Sequence, residues 1–470
     1  MRIGIVGAGP AGIISCIAIS SAMQSVRDCL ILDVYESGLA FRGRTFDTNS
    51  DSMLLNTSVG VSPVEWSKPN GFLEYLRREE QRDVDLGDVV PRDAARRYLE
   101  YELQLAKEQT PNISIISAKV DDACPAPDGR IHIYSGGVIK AYDAVVLASG
   151  LNFKQPPLAF AGVNAITPYP ADRLAQIDSD AAVLVLGSRL SAVDALVCLA
   201  MSGHTGRVDV HSRSGLFPSV RNSVVKPEQR PFLNSYLSLS QEIAPTVKLE
   251  LIVSHLERHL DRHGMRLSDF IPMPGTTGRS QLDHEIRLCK EGLNLWEPLL
   301  MDVIDALNHL WPQLNAKAKT DFHRNVNGWL GRIAHSMPLR NALVVQRMFD
   351  SGQLRSVGLE EIGDLREYGQ VINATGLSGA DNDPLLRRMA MRGLLRFNGA
   401  GGVEIEPSRR STTKDGMIYA NGSIIQNEVF TANSLYSSAH GAECIARDLL
   451  QKLAVPAQMP REMIECALEP

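Results

Sequence analysis

Residues 3–12 read Ile-Gly-Ile-Val-Gly-Ala-Gly-Pro-Ala-Gly, so Gly7, Gly9 and Gly12 stand at the spacing G-x-G-x-x-G directly after a β-rich run. The first glycine permits a tight turn, the second lets a pyrophosphate approach the backbone, and the third allows close helix–strand packing. Pro10 and Ala11 then open a helix whose unbonded amides face the phosphates, and proline there gives up an N–H that the helix does not use. A second β-rich run, Leu30–Tyr35, ends in Glu36, whose carboxylate suits two ribose hydroxyls and repels a 2′-phosphate. Asp33 is the rival acid, but its mid-strand position reads better as buried. The chemistry these residues offer is dinucleotide binding.

A second unit opens at Ala182-Val-Leu-Val-Leu-Gly-Ser-Arg-Leu-Ser-Ala192, again strand, turn and helix start. Gly187 keeps the first glycine position, with Ser188 and Ser191 nearby. The next strand, Arg207–Val210, leads to His211-Ser-Arg-Ser214 and ends on Arg213 rather than an acid. A guanidinium matches a 2′-phosphate bidentately, so this unit is expected to take NADPH. The alternative is a degenerate unit kept for folding, with Arg213 merely solvated.

Glycines alone do not separate FAD from NAD, and the segments that do so are recognised by resemblance. Asp143-Ala-Val-Val-Leu-Ala-Ser-Gly150 resembles the strand-then-glycine segment of two-dinucleotide flavoproteins, with Ser149 where threonine is usual. Met417-Ile-Tyr-Ala-Asn-Gly-Ser423 resembles their ribityl-holding strand, with Asn421-Gly422 in place of Gly-Asp. A helix expected from near Thr431 would aim its positive end at the flavin O2 region. These resemblances imply FAD at the first site.

Further motifs are Gly43-Arg-Thr-Phe-Asp47, Leu54-Leu-Asn-Thr57, Val90-Pro-Arg92 followed by Tyr98, Ser212-Arg-Ser-Gly-Leu-Phe-Pro218 and Ile372-Asn-Ala-Thr-Gly376. The ordered set resembles a group of FAD/NAD(P)-binding flavin monooxygenases that includes an FAD-dependent urate hydroxylase and an aspartate N-monooxygenase. The resemblance implies a flavin role for Arg44. It also implies oxygen activation as a C4a-hydroperoxyflavin that hydroxylates a small polar substrate, with the amino group of an amino acid or a related amine as the leading candidate. Asn56, in Leu55-Asn-Thr-Ser58, resembles the asparagine beside the flavin ring in N-oxygenating members; its alternative is a turn residue bonding its own backbone. Amino-acid carboxylates would need arginines, and Arg287 and Arg332 are the candidates, from a local supply that includes Arg324 and Arg340. His335 stands where the family segment would carry a further arginine. The competing classes are an NADPH-dependent flavin reductase serving a carrier or quinone, and a flavin-bound protein without turnover.

These residues require an α/β chain: two Rossmann-type dinucleotide-binding domains with a mainly helical insertion. The expected divisions are 1–165 and 365–470 for FAD, 166–226 and 341–364 for NADPH, and 227–340 for a helical covering insertion. In that insertion strand signals fade and Trp296, Trp311 and Trp329 appear as packing anchors. The 470 residues, 44% hydrophobic and 22% charged, can bury such cores. A net charge of −6 offers nucleic acid or anionic membrane no attraction. No apolar run is long enough to span a bilayer. Seven scattered cysteines without C-x-x-C argue against a metal site or dithiol centre. The expected setting is cytoplasmic, chemistry beginning at residue 3 and leaving no room for a signal peptide; the expected partners are a small molecule and oxygen, with a homo-oligomer open.

Overall fold

The computed structural model describes residues 1–46, 51–224, 234, 249–271, 275–413 and 415–453. Asp47, the opening of the expected insertion with Glu228, and Cys466 lie outside the described residues.

Two five-stranded parallel sheets organise the chain. The first runs Ile418–Ala420, Ala144–Leu147, Arg2–Val6, Ile31–Glu36, Ile113–Ser117. Its central strands read as nearly continuous apolar runs because both faces are covered. Ile3, Ile5 and Val146 pack under the helices Pro10–Ala22, Arg92–Gln109 and Leu435–Leu453. Val6, Val145 and Leu147 pack on the other face against the antiparallel sheet Val120–Pro125, Ile131–Ser135, Val138–Tyr142.

The second sheet runs Leu354–Ser356, Val208–His211, Val183–Leu186, Gln370–Asn373, Ala165–Ile166. It repeats the first in plan: the strand before each glycine turn is central, the next strand in sequence lies on one side, and a late strand lies on the other. The boundary expected at 365 does not match this pairing. Gln370–Asn373 lies beside Val183–Leu186, with Ile372 opposite Val185, and so belongs to the second sheet. An apolar strand ending Asn-Ala-Thr-Gly suits either unit by composition; only strand pairing assigns it. Ala165–Ile166 joins the same sheet, across the other expected boundary.

Helices follow where strand signals fade, among them Leu249–Arg262, Gly278–Lys290, Glu297–Leu310 and Ala316–Asn325. Trp311 is buried against Phe322 and Phe430, and its Nε1 donates to Asn427 O at 2.6 Å. Tyr436 donates to Asp305 at 2.8 Å, and Asn308 bonds Thr431. The insertion is thereby fastened to the segment leading into the closing helix. No described helix is long and apolar enough to cross a membrane.

One buried acid pair makes stability pH-dependent. Glu65 and Glu102 are both buried, with Lys68 Nζ 2.7 Å from Glu65 and 4.0 Å from Glu102. Burial, and then the Glu65 charge, raise the Glu102 carboxyl to about 7, while Lys68 acts in the opposite direction. The folded protein therefore holds a proton that the unfolded chain releases near pH ~4.3. Stability falls as pH rises through the interval between those values. Glu102→Gln removes this loss and is expected to gain on the order of 1–3 kcal/mol over wild type at pH 7.5, with the gap closing toward pH 4.5. Denaturant unfolding across that range checks it, and a gap independent of pH would contradict the assignment.

Candidate active site

The two glycine turns are built alike. Gly7 has φ +102° and Gly187 φ +112°, conformations that side-chain-bearing residues avoid. A Cβ on Gly7 would strike the carbonyl of Ala148, and one on Gly187 the carbonyl of Ala374. Each turn therefore seats directly on its neighbouring strand end, Ala148-Ser-Gly150 in one unit and Ala374-Thr-Gly376 in the other. Gly12 packs so tightly that a Cβ there would overlap the Gly7 carbonyl, whereas one on Gly9 would meet only Gly43 Cα at 3.4 Å. Gly150 and Gly376 both have positive φ and face open space. Gly376 was missing from the expected site residues; the repeat of Ala-Ser-Gly as Ala-Thr-Gly is the signal that finds it. A buried hydroxyl without a hydrogen-bond partner, Ser149 Oγ, stands beside the first turn. These features fit a dinucleotide laid across the turn, with Pro10 and Ala11 opening the helix beneath its phosphates.

The strands after the turns differ in charge. Glu36 accepts from Ala8 N and Gly38 N, each at 3.0 Å, through different oxygens. Each oxygen keeps capacity for a ribose hydroxyl. In the second unit His211 pairs with Leu186 as Tyr35 pairs with Val6, so Ser212 occupies the place of Glu36. Ser212 Oγ meets Ser188 Oγ at 2.8 Å, and Ser188 Oγ also donates to Leu216 O at 2.7 Å. Ser188 thus ties the turn to the 212–216 loop. No acid stands at this strand end, and Arg213 follows it exposed. Ser191 lies partly buried in the first turn of the helix Leu190–Met201.

Asn421 is held from three directions. It is 1% exposed, and its Nδ2 donates at 3.0 Å to both Ser15 Oγ and Ser438 O, while Oδ1 accepts from its neighbour Gly422 N. The amide knits the last strand to the first and closing helices. Gly422 faces Ala11, whose methyl a Cβ would meet at 2.6 Å. The closing helix starts at Leu435, a turn later than expected, because Ser434 caps it, accepting from Ser437 N at 3.0 Å. Thr431 is held instead by Asn308 of the insertion. Arg44 is exposed and donates to Asn152.

Asn56 lies in a braced loop. Leu54 bridges Pro91, Leu55 N donates to Val90 O, and Arg92 N donates to Met53 O. Thr57 and Ser62 share a hydroxyl bond at 2.6 Å, and Ser62 Oγ donates to Ser58 O. Asn56 Oδ1 is buried and has no hydrogen-bond partner. Arg92 reaches on to the second unit: its Nη2 is 2.7 Å from Asp194 Oδ2, and Tyr169 joins the same carboxylate. Arg221 was not expected here; it is fully buried and its Nη1 donates to Ser58 Oγ at 3.3 Å.

Of the two arginines expected for substrate, Arg332 is committed inside the protein and Arg287 is exposed. Arg332 is buried, donating from Nε to Phe217 O at 2.9 Å and from Nη2 to Glu285. A guanidinium committed to an internal carboxylate closes the insertion onto the 217–221 segment and has no fork left for a ligand. Arg287 is exposed on its helix and meets His284 Nδ1 at 3.0 Å. His335 is exposed and bonds its own helix at Gly331 O.

Gly9→Val is expected to fold, because a Cβ there finds ordinary contact, yet to lose flavin as the added methyls enter the lane between the turn and Gly43. It should purify colourless with the melting temperature of flavin-free wild type. Gly12→Ala should instead lose the fold of this unit. A yellow, fully loaded Gly9→Val protein would contradict the site.

Comparison with known proteins agrees with this geometry. A family model described as FAD-NAD(P)-binding matches residues 4–152. No curated protein matches the sequence. Among solved structures, L-lysine 6-monooxygenase from Pseudomonas syringae is similar at 15% identity and TM-score 0.57, over 96% of this chain and 99% of that one. The reduced form of ornithine hydroxylase from Pseudomonas aeruginosa aligns at 16% identity and TM-score 0.58, over 96% and 99%. The FAD-bound cadaverine monooxygenase of desferrioxamine biosynthesis from Erwinia amylovora aligns at 13% identity and TM-score 0.53, over 96% and 94%. At such identities the likeness is one of fold: this chain carries an FAD/NAD(P)-binding domain within a two-dinucleotide α/β architecture.

Proposed function

We propose that the protein is an FAD- and NADPH-dependent monooxygenase that hydroxylates a small polar substrate, foremost the amino group of an amino acid or related amine. The balanced reaction takes the amine, oxygen, NADPH and a proton to the hydroxylamine, NADP+ and water. FAD, when bound, supplies the oxygen activation; the protein contributes position and dryness.

One observation carries the reading. The insertion packs onto the segment that follows the Asn56 loop through an apolar cluster that joins Val61 and Trp66 to Leu300, Met301, Ile304, Ile333 and Tyr436, flanked by Trp296 and Trp329. An electron-transfer reductase needs an exposed approach for its carrier, whereas oxygen insertion needs water excluded from the reacting atoms. Glu36 at one strand end, against Ser212 and Arg213 at the other, supports FAD in the first unit and NADPH in the second. The Asn56 amide, with its oxygen unpartnered, is the group we assign to the reacting face. Relatives similar in fold act on lysine, ornithine and cadaverine, which makes an amine the first substrate class to test.

Coupling measurements test this directly. With amines supplied, oxidised NADPH should appear as hydroxylated product, and Asn56→Ala should divert at least about tenfold more of it to hydrogen peroxide, a loss of roughly 1.4 kcal/mol in discrimination. Arg213→Ala should raise the KM for NADPH about tenfold or more and leave that for NADH unchanged. Unchanged coupling would return Asn56 to a structural role, and equal effects on the two nicotinamides would remove Arg213 from the phosphate.

A further inference from the structure

Among the described residues, two buried arginines keep guanidinium nitrogens without hydrogen-bond partners, Arg221 and Arg410. Arg410 belongs to the flavin unit: its Cζ and Asn421 Oδ1 both lie against Gly441 of the closing helix, where a Cβ would meet them at 3.1 and 2.5 Å. Arg221 lies elsewhere. It sits on the short strand Val220–Arg221, paired with Met337–Pro338, and is 1% exposed.

Among the described residues, the surroundings of Arg221 give its charge no hydrogen-bonded counter-ion. Nη1 donates to Ser58 Oγ at 3.3 Å, a neutral partner, and Nη2 has none. Glu297 is the acid that acts on it electrostatically. That carboxylate is already used, accepting from Asn222 N at 2.8 Å, Ser223 N at 3.1 Å and Asn294 Nδ2 at 3.1 Å. Burial lowers the Arg221 pKa to about 10, as expected of a cation without a close counter-charge. A buried, unpaired ion is disfavoured by several kcal/mol, roughly, unless something arrives to balance it.

The position of Arg221 says what that balance serves. Ser58, the residue it touches, also accepts from Val224 N at 3.3 Å, which fixes the 220–224 segment to the Asn56 loop. Asn56 is two residues from Ser58, a Cα separation of at most ~7 Å. One loop thus links an unpaired amide oxygen to an unpaired guanidinium. We propose that Arg221 receives the carboxylate of the substrate through its unpartnered Nη2, so that the enzyme selects amino acids over the corresponding amines that lack the acid. This specifies the substrate class of the monooxygenase reading and rests on it. A planar fork suits a carboxylate bidentately and offers nothing to a second ammonium group.

The test uses the full-length, FAD-loaded protein and reads binding without turnover, so that it stands apart from the oxygenase assay. L-Lysine with cadaverine, L-ornithine with putrescine, L-serine with ethanolamine, and L-aspartate are titrated by calorimetry into wild type, Arg221→Lys and Arg221→Met. At least one amino acid should bind wild type and exceed its paired amine or, for aspartate, the other acids. Arg221→Met should weaken that acid at least about thirtyfold, with amine binding unchanged, and Arg221→Lys should fall between. Without ligand, Arg221→Met should melt no lower than wild type, since it removes a cation with no partner, and it should lose the thermal shift the acid confers. If Arg221→Met does not fold, the intermediate affinity of Arg221→Lys carries the comparison. Binding of acids and amines alike, binding by no acid, or equal weakening of both classes would overturn the proposal. Production of peroxide alone during NADPH turnover, with acid-selective binding intact, would instead overturn the oxygenase reading.

Discussion

The buried contact of Arg92 with Asp194 is the constraint on which the rest of the site depends. Arg92 opens the helix directly after Pro91, the bridge partner of Leu54 in the Asn56 loop, Asp194 lies on the helix after the second glycine turn, and Tyr169 comes from the connection between them. Arg92 also reaches Thr45 O, beside the Gly43 crossing of the first turn. Such a pair adds little net stability over well-packed apolar residues, but losing one partner costs about 3–5 kcal/mol by stranding the other. Domains within one chain otherwise shift relative to each other by default. A reaction between groups on two nucleotides requires their approach to be held to a fraction of an ångström. One ion pair, desolvated on both sides, gives the two turns that fixed relation.

Around this brace the two units diverge by small changes at equivalent positions. An acid binding Ala8 N in the first becomes a serine pair, Ser188 and Ser212, in the second. The first strand end carries a negative charge and the second carries none, with a free arginine one residue on. In the proposed reading this charge difference separates an unphosphorylated ribose from a 2′-phosphate without any change of fold. Charge is distributed similarly near the Asn56 loop, where the insertion supplies apolar side chains and Arg221 a cation whose Nη2 has no hydrogen-bond partner. Arg332 and Glu285 lock the insertion in place and leave that cation alone.

The glycine turns were legible in the sequence because steric demands at Gly7, Gly12 and Gly187 admit one residue type, and the flanking strands are continuous apolar runs. The helical character of the insertion was legible from its periodicity. Strand membership was not: Gln370–Asn373 has the composition of any buried parallel strand, and only pairing with Val183–Leu186 assigns it. The closing helix was placed a turn early because Thr431 and Ser434 are both capable caps and tertiary contact with Asn308 claims the threonine. Arginine roles were the least legible. Arg332 was singled out for its neighbourhood in sequence, but its burial and its partners Phe217 and Glu285, which decide whether a guanidinium is available, come from segments far along the chain. Arg221 stands in a stretch without periodicity, and nothing local marks it as buried.

The central claim is that two nucleotide sites and an apolar covering insertion work together to insert one oxygen atom. The most direct measurement is a single turnover of FAD-loaded protein, reduced without air by one equivalent of NADPH and then mixed with 18O2 and the best-bound amine. The account predicts one labelled atom in the hydroxylamine and the other in water, with little labelled peroxide. Label recovered entirely as hydrogen peroxide, or a flavin that NADPH fails to reduce, would contradict it.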